Sequence, residues 1–242
     1  NKFLVRGKTK DNVYLPKSYL KLLEENYDKT LLKAYSLGEF VNLQQGQTYY
    51  QFNRDSCLSE VSYDRSKPVR VGIDFNCEPE CAVLFQLYEQ QPQVRVFDCI
   101  ALSHGGSGDL LTERMANTIR QKYPNSEYVA YPDATGVKRG SSAMFSDIDL
   151  LIKCGFKIKA LKTNPAVVDR VNAVNRALDG NLIIDPKCKA LIEDLEKVVN
   201  KQGTREIDKS NKDLTHMSDA LGYAVHWEKP IIKQTLGSIN RL

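Results

Sequence analysis

No stretch of this 242-residue chain is apolar for the ~20 residues that a membrane-crossing helix needs. The opening NKFLVRGKTK lacks the apolar centre of a secretory signal, and it starts on Asn1 rather than Met. The expectation is a piece of a longer protein, or a processed one. No C-x-x-C pair occurs. The six cysteines (Cys57, Cys77, Cys81, Cys99, Cys154 and Cys188) stand mostly in apolar company, as reduced buried thiols do. Cys77-x-x-x-Cys81 resembles half of a soft-metal site, but no second Cys/His pair answers it. A reducing compartment is therefore expected. Also missing is any G-x-x-x-x-G-K-[ST] segment, which excludes a P-loop motor within these residues. Internal repeats and low-complexity runs are absent as well.

What remains is ordinary globular composition, 42% hydrophobic and 26% charged, with enough chain for one large domain or one domain and an appendage. The net charge of +4 sits at the start: residues 1–70 hold 12 Lys/Arg against 8 Asp/Glu, and the remainder balances at 22 each. A solvated surface carries an excess that small, so charge alone selects no nucleic-acid partner.

Residues 1–68 read as a leader or linker. Pro16 opens a helix over SYLKLLEENY, KTLLKAYSLG forms a second closed by Gly38, and residues 46–69 are polar and extended, broken at Pro68. From Val69 the pattern changes. VRVGIDF, CAVLFQLYE and QVRVFDCIAL are apolar runs joined by short turns, which predicts an antiparallel meander. Leu110, Leu111, Met115 and Ile119 mark a helix, EYVAY a strand, and MFSDIDLLIKCG a helix ending at Gly155. FKIKAL follows as a strand, PAVVDRVNAVNRAL as a helix stopped at Asp179-Gly180, and NLIID as a short strand. The next helix has Pro186 just inside its start and Asp185 as its expected N-cap. KQGTREIDKSNKD is a polar hairpin or loop, and THMSDALGYAVHW closes as a helix with Thr215 as expected N-cap. This order predicts an α/β fold with a mixed five-stranded sheet, three antiparallel strands and then parallel ones, flanked by helices. The expected units are the leader (1–68), a domain over 69–230 and a tail over 231–242.

Three aspartates share a peculiarity of position. Asp74 ends the first apolar run, Asp133 follows the fourth in YPDATG, and Asp219 stands early in the last helix. Each alone is ordinary, because a single strand-end Asp usually caps a turn. Their order is not. If the first strand is central and the fourth lies parallel beside it, two strand ends meet, and a helix crossing that edge adds Asp219. Three carboxylates so close stay ionised only beside a cation, and hard divalent ions such as Mg²⁺ or Mn²⁺ suit carboxylate oxygens. Two such ions, about 3.5–4 Å apart, activate water and stabilise the leaving oxygen of a phosphodiester. His216, three residues before Asp219, shares its helical face and is placed to hold water or carry a proton.

The motifs VGIDFN (71–76), YVAYPDATG (128–136), DRVNAVNRAL (169–178), NLIIDPKCKALIEDLE (181–196) and LTHMSDALGYAV (214–225) together resemble the C-terminal nuclease domain of the large terminase subunit of tailed bacteriophages, within the ribonuclease H-like superfamily. The leader segments NVYLPKSYLKLL and LLKAYSLGEFVNLQQGQTYYQF resemble the connection between that family's motor and its nuclease. The resemblance implies that Asp74, Asp133 and Asp219 bind two catalytic Mg²⁺ or Mn²⁺ ions, with His216 beside them. It implies an endonuclease cutting concatemeric double-stranded viral DNA in the cytoplasm of an infected bacterial host. An upstream ATPase motor, a small terminase subunit and a portal are the implied partners, and no membrane is. In such domains an extra hairpin near residues 200–212 lies by the DNA path, so Lys201, Arg205, Lys209 and Lys212 become candidate phosphate contacts. Lys138 and Arg139, after Asp133, join them. Asp98 reads better as a strand-surface residue than as a fourth carboxylate, and packing or salt-bridging explains Arg170 and Asn172 about as well as function does.

Other readings share parts of the pattern. An actin-like or sugar-kinase nucleotide fold has the same sheet, but it follows its first aspartate with Gly and Thr/Ser where this chain has Phe75-Asn76-Cys77. A junction resolvase would share the metal chemistry and leave the leader unexplained. A non-catalytic module docking DNA or portal would leave the aspartate trio unexplained.

Overall fold

The computed structural model describes residues 7–16, 18–37, 46–75, 78–105, 110–137, 145–202, 204–211 and 213–231. The expected stop at Gly38 lies outside them. Two leader helices, α1 (Ser18–Asn26) and α2 (Lys29–Leu37), precede a single turn, α3 (Arg54–Cys57). The three apolar runs then form β1 (Val69–Asp74), β2 (Glu80–Leu87) and β3 (Val94–Leu102), an antiparallel meander as expected. After α4 (Leu111–Lys122), β4 (Tyr128–Pro132) lies parallel to β1. Helix α5 (Asp147–Lys153) leads to β5 (Phe156–Ile158), parallel to β4, and α6 (Val167–Leu178) leads to β6 (Leu182–Ile184), parallel to β3. Helices α7 (Lys189–Lys197) and α8 (His216–Glu228) complete the order.

The sheet order is β5-β4-β1-β2-β3-β6. The sheet is mixed as expected but has six strands rather than five: the NLIID run covers the outer edge of β3, which would otherwise expose unpaired backbone groups. Strand periodicity divides the core in two. Val69, Val71 and Ile73 of β1 face Met115 and Ile119 of α4 and Leu151 of α5. On the other face, Val83, Phe85 and Val96 meet Val174 and Leu178 of α6, Leu191 and Leu195 of α7, and Leu221 and Val225 of α8. Among the described residues no helix is long and apolar enough to cross a membrane.

Two expected caps take other forms. Asp185 is not the N-cap of α7, which starts three residues after Pro186. Its carboxylate accepts from Lys187 N (2.9 Å) in a local turn and from Val61 N (3.0 Å), so it ties the leader to β6 instead. Thr215 makes no side-chain cap, and its backbone is left-handed, φ 87°. The hairpin expected over 200–212 is slight, with a bridge between Asn200 and Ile207.

The leader is anchored rather than draped. Tyr49, Phe52 and Cys57 are buried in the α6–α8 core. Asp28 accepts from the Tyr50 hydroxyl at 2.6 Å and from Gln51 Nε2 at 2.8 Å, while also holding Thr30 N at the start of α2. Arg176 of α6 donates to the Glu25 carbonyl of α1 and to the Lys229 carbonyl after α8.

One contact fixes α8 on the sheet. A Cβ built on Gly72 would lie 2.1 Å from the Ala220 carbonyl oxygen, so helix and strand backbones touch there. Gly72→Ala must push α8 away. The expected loss is about 1–3 kcal/mol, lowering Tm by roughly 3–10 °C; an unchanged Tm in calorimetry would contradict this packing.

Candidate active site

Asp74 closes β1, and Ile73 stands opposite Pro132 of the parallel β4. Asp133 is thus delivered beside Asp74, and its own N–H continues the ladder to Ile73 O at 3.1 Å. Pro132 donates no hydrogen bond and ends the strand. Beyond it, a 3-10 turn over Ala134–Val137 folds back, and Gly136 lies so near the Phe75 ring that a Cβ would come within 2.3 Å of it. Helix α8 rests on Gly72, one residue pair before the end of β1, so its first turn reaches the same edge. It carries His216 and Asp219 there.

The three carboxylates are buried, with relative exposures of 7% for Asp74, 7% for Asp133 and 6% for Asp219. His216 Nδ1 lies 3.3 Å from Asp74 Oδ2. Burial pushes the Asp74 carboxyl above the usual carboxylate range; the His216 hydrogen bond opposes this, and the charges of Asp219 and Asp133 push it further up. Burial likewise raises the Tyr223 hydroxyl, against Arg170 and with Asp74, Asp133 and Asp219. The expected four, Asp74, Asp133, His216 and Asp219, therefore share one electrostatic neighbourhood.

Each carboxylate has its own partners. Arg170 of α6, stacked on the Tyr223 ring, gives Nη1 to Asp219 Oδ1 at 2.8 Å. Lys209 places its ammonium 3.4 Å from Asp219 Oδ2. Asp133 accepts from Thr135 N and Thr135 Oγ1, both at 2.8 Å, and from the amide of Asn164. Of these partners, Asn164 and Thr135 escaped the sequence reading. Asp133-Ala-Thr135 is a legible Asx-type turn, whereas Asn164 arrives from 31 residues away and leaves no local mark.

The other candidates fall elsewhere. Asp98 binds Lys122 Nζ at 2.5 Å and the Tyr123 hydroxyl at 2.7 Å, on the α4 side of the sheet. Lys201 and Arg205 line a cavity of about 640 Å³ between α2, α6 and the segment after α7, together with Asn172. Lys138, Arg139 and Lys212 lie outside the described residues.

Glu80, at the head of β2, was unforeseen. It faces Thr112 of α4, whose hydroxyl lies 3.0 Å from Glu80 Oε2 and 2.8 Å from Asp147 Oδ1. Its Oε1 is buried with no hydrogen-bond partner among the described residues. Burial, with Thr112 opposing and Asp147 and Asp74 adding, pushes this carboxyl up to about 7.

Among the described residues no three His, Cys, Asp or Glu side chains gather tightly enough to hold a metal ion. The carboxylates turn instead to the donors around them. Their chemistry nonetheless suits a hard divalent cation: the oxygens are buried and electrostatically coupled, and Asp219 already holds an exposed ammonium as a stand-in.

No protein-family model matches the chain, and no curated protein does. Solved structures do. The large terminase of a thermophilic bacteriophage, in complex with ATP-gamma-S, matches with a TM-score of 0.64 at 20% identity, over 90% of this chain and 54% of that one. The P22 large terminase nuclease domain matches with a TM-score of 0.55 at 12% identity, over 73% of this chain and 89% of that one. This chain has the ribonuclease H-like fold of the large-terminase nuclease domains. It spans about half the length of the thermophilic phage's terminase.

Two measurements probe this site. Arg170→Met strands a buried carboxylate, since both partners are under 10% exposed, and should cost about 3–5 kcal/mol. Lys209→Met removes a side chain 58% exposed and should cost under about 1 kcal/mol in urea unfolding. Glu80 holds its proton in the folded chain to about pH 7, whereas an unfolded glutamate loses it near 4.5. The folded state therefore binds the extra proton, and its contribution to stability is full below pH 4.5 and declines as pH rises to about 7. Glu80→Gln should remove that part of the slope in Tm against pH; an unaltered slope would place the proton elsewhere.

Proposed function

We propose that this chain is the nuclease part of a bacteriophage terminase large subunit and hydrolyses phosphodiester bonds of double-stranded DNA with divalent metal ions. The observation that carries the reading is that Asp74, Asp133 and Asp219 are buried near one sheet edge and feel one another's charge, in a fold whose solved relatives are large-terminase structures. Residues 1–68 serve as the leader from an upstream motor, and residues 69–230 as the nuclease. DNA is the substrate, the motor, small terminase subunit and portal are the assembly partners, and the host cytoplasm is the setting.

Asp74, Asp133 and Asp219 would hold Mg²⁺ or Mn²⁺, two ions in the full reading. When bound, the ions would supply Lewis acidity and lower the pKa of a water so that, once deprotonated, it could attack phosphorus. The chain's own groups prepare for this. Arg170 fixes Asp219 through Oδ1. Oδ2 faces the exposed Lys209 ammonium, a weak surface pairing that would leave this oxygen open to a cation. Thr135 and Asn164 fix both Asp133 oxygens, which limits rotation of that carboxylate. His216 orients Asp74 and has an imidazole able to take a proton.

Supercoiled plasmid incubated with Mn²⁺ should become nicked and linear, and chelator should stop the reaction. Asp74→Asn, Asp133→Asn and Asp219→Asn should each slow cleavage at least about a hundred-fold while the folded circular-dichroism spectrum persists. Plasmid left intact in both Mg²⁺ and Mn²⁺ would instead favour a DNA- or portal-docking module.

A further inference from the structure

The first turn of α8 carries two of the four side chains of the site, yet the residue before it makes no side-chain cap. The missing cap comes from another helix. Asp194 of α7 accepts from Ser218 N through Oδ2 at 2.9 Å, and its carboxylate also accepts from Thr215 N. The Ser218 hydroxyl donates to the Thr215 carbonyl at 3.0 Å and also lies against the Asp194 carboxylate. Asp194 is only 3% exposed. A carboxylate is costly at such depth unless donors meet it, and the free N–H groups of a helix start meet it with aligned dipoles.

These donors decide the geometry. Thr215 and Ser218 bracket His216, and Ser218 immediately precedes Asp219, so the amides held by Asp194 flank the first of these side chains and adjoin the second. The grip comes from 24 residues away, across the α7–α8 packing, and it fixes the turn against the body of the protein rather than within α8 alone. Below it, the close contact at Gly72 fixes the helix against the sheet. Two constraints at neighbouring points leave the first turn little freedom to slide or unwind.

We propose that Asp194 is a positioning residue for the metal site, capping α8 from α7 so that His216 and Asp219 meet Asp74 in the productive arrangement. This rests on the nuclease reading above. Asp194 touches neither substrate nor metal in this role; it acts through the backbone of residues 215–218. An aspartate on the apolar face of α7, one residue before Leu195 and three after Leu191, is otherwise an unexplained burial of charge.

The test compares wild-type protein with Asp194→Asn, Asp194→Ala and, as a control from the same helix, Leu191→Ala, all below their melting temperatures. Amide hydrogen exchange reports the cap, Mn²⁺ titration by electron paramagnetic resonance reports the site, and plasmid cleavage separates kcat from KM. In Asp194→Ala, exchange at residues 215–219 should quicken about ten-fold or more and Mn²⁺ affinity should fall about ten-fold. The kcat should fall at least as far, with KM for DNA within about two-fold. Asp194→Asn keeps an acceptor oxygen and should fall between, and it decides the matter if the alanine variant does not fold. Leu191→Ala should lower Tm without these local changes. Unchanged exchange and Mn²⁺ affinity in the Asp194 variants, or the same losses in Leu191→Ala, would overturn the proposal. Wild-type protein that takes up no Mn²⁺ would overturn the nuclease reading, and with it the purpose assigned to the cap, even where exchange is faster.

Discussion

At Gly72 a helix backbone rests directly on a strand backbone. Side chains normally hold helix and sheet apart; here the Ala220 carbonyl occupies the space that any Cβ at residue 72 would claim. Because β1 is flanked by β4 and β2, that contact seats α8 over the middle of the sheet. Parallel pairing with β4 then does the rest, since parallel neighbours end at the same edge and Asp133 comes level with Asp74. Convergence of the three carboxylates is thus a product of strand order and one missing side chain.

Keeping three acidic groups under 10% exposed requires compensation, and the compensation is graded. Arg170 is as buried as its partner and behaves as part of the scaffold. Lys209 is mostly in water and responds to whatever approaches. Asp133 is met by neutral donors, while Asp74 faces a histidine whose charge depends on its surroundings. The resulting edge has one buried countercharge, Arg170, and one exposed one, Lys209.

Much of this was written in the sequence because apolar runs interrupted by single carboxylates are local signals. Asp74 and Asp133 each end such a run, and the helix bearing Asp219 is apolar on nearly every side. The meander, the helices and the mixed sheet were legible for the same reason. What escaped depends on contacts between distant segments. Thr215 looked like a cap by residue type, but its side chain makes none, and Asp194 performs that task instead. Asp185 beside Pro186 looked like another, and serves the leader. NLIID was legible as a short strand, but its place as the sixth member of the sheet depends on pairing with β3. Glu80 heads an apolar strand, where nothing in the order of residues reveals that its carboxyl is enclosed.

Helix α6 connects parts of the molecule that are otherwise remote. Near its start it presents Arg170 to Asp219; near its end Arg176 grips α1 and the residues following α8, and Asn175 accepts from Gln51 N and donates to the Thr48 carbonyl. Its 12 residues make a stiff rod about 18 Å long. The leader cannot shift against the body without either tearing these bonds or tilting the rod, and a tilt moves the guanidinium at the other tip. The N-terminal arm and the acidic edge of the sheet are thereby tied to opposite ends of one helix.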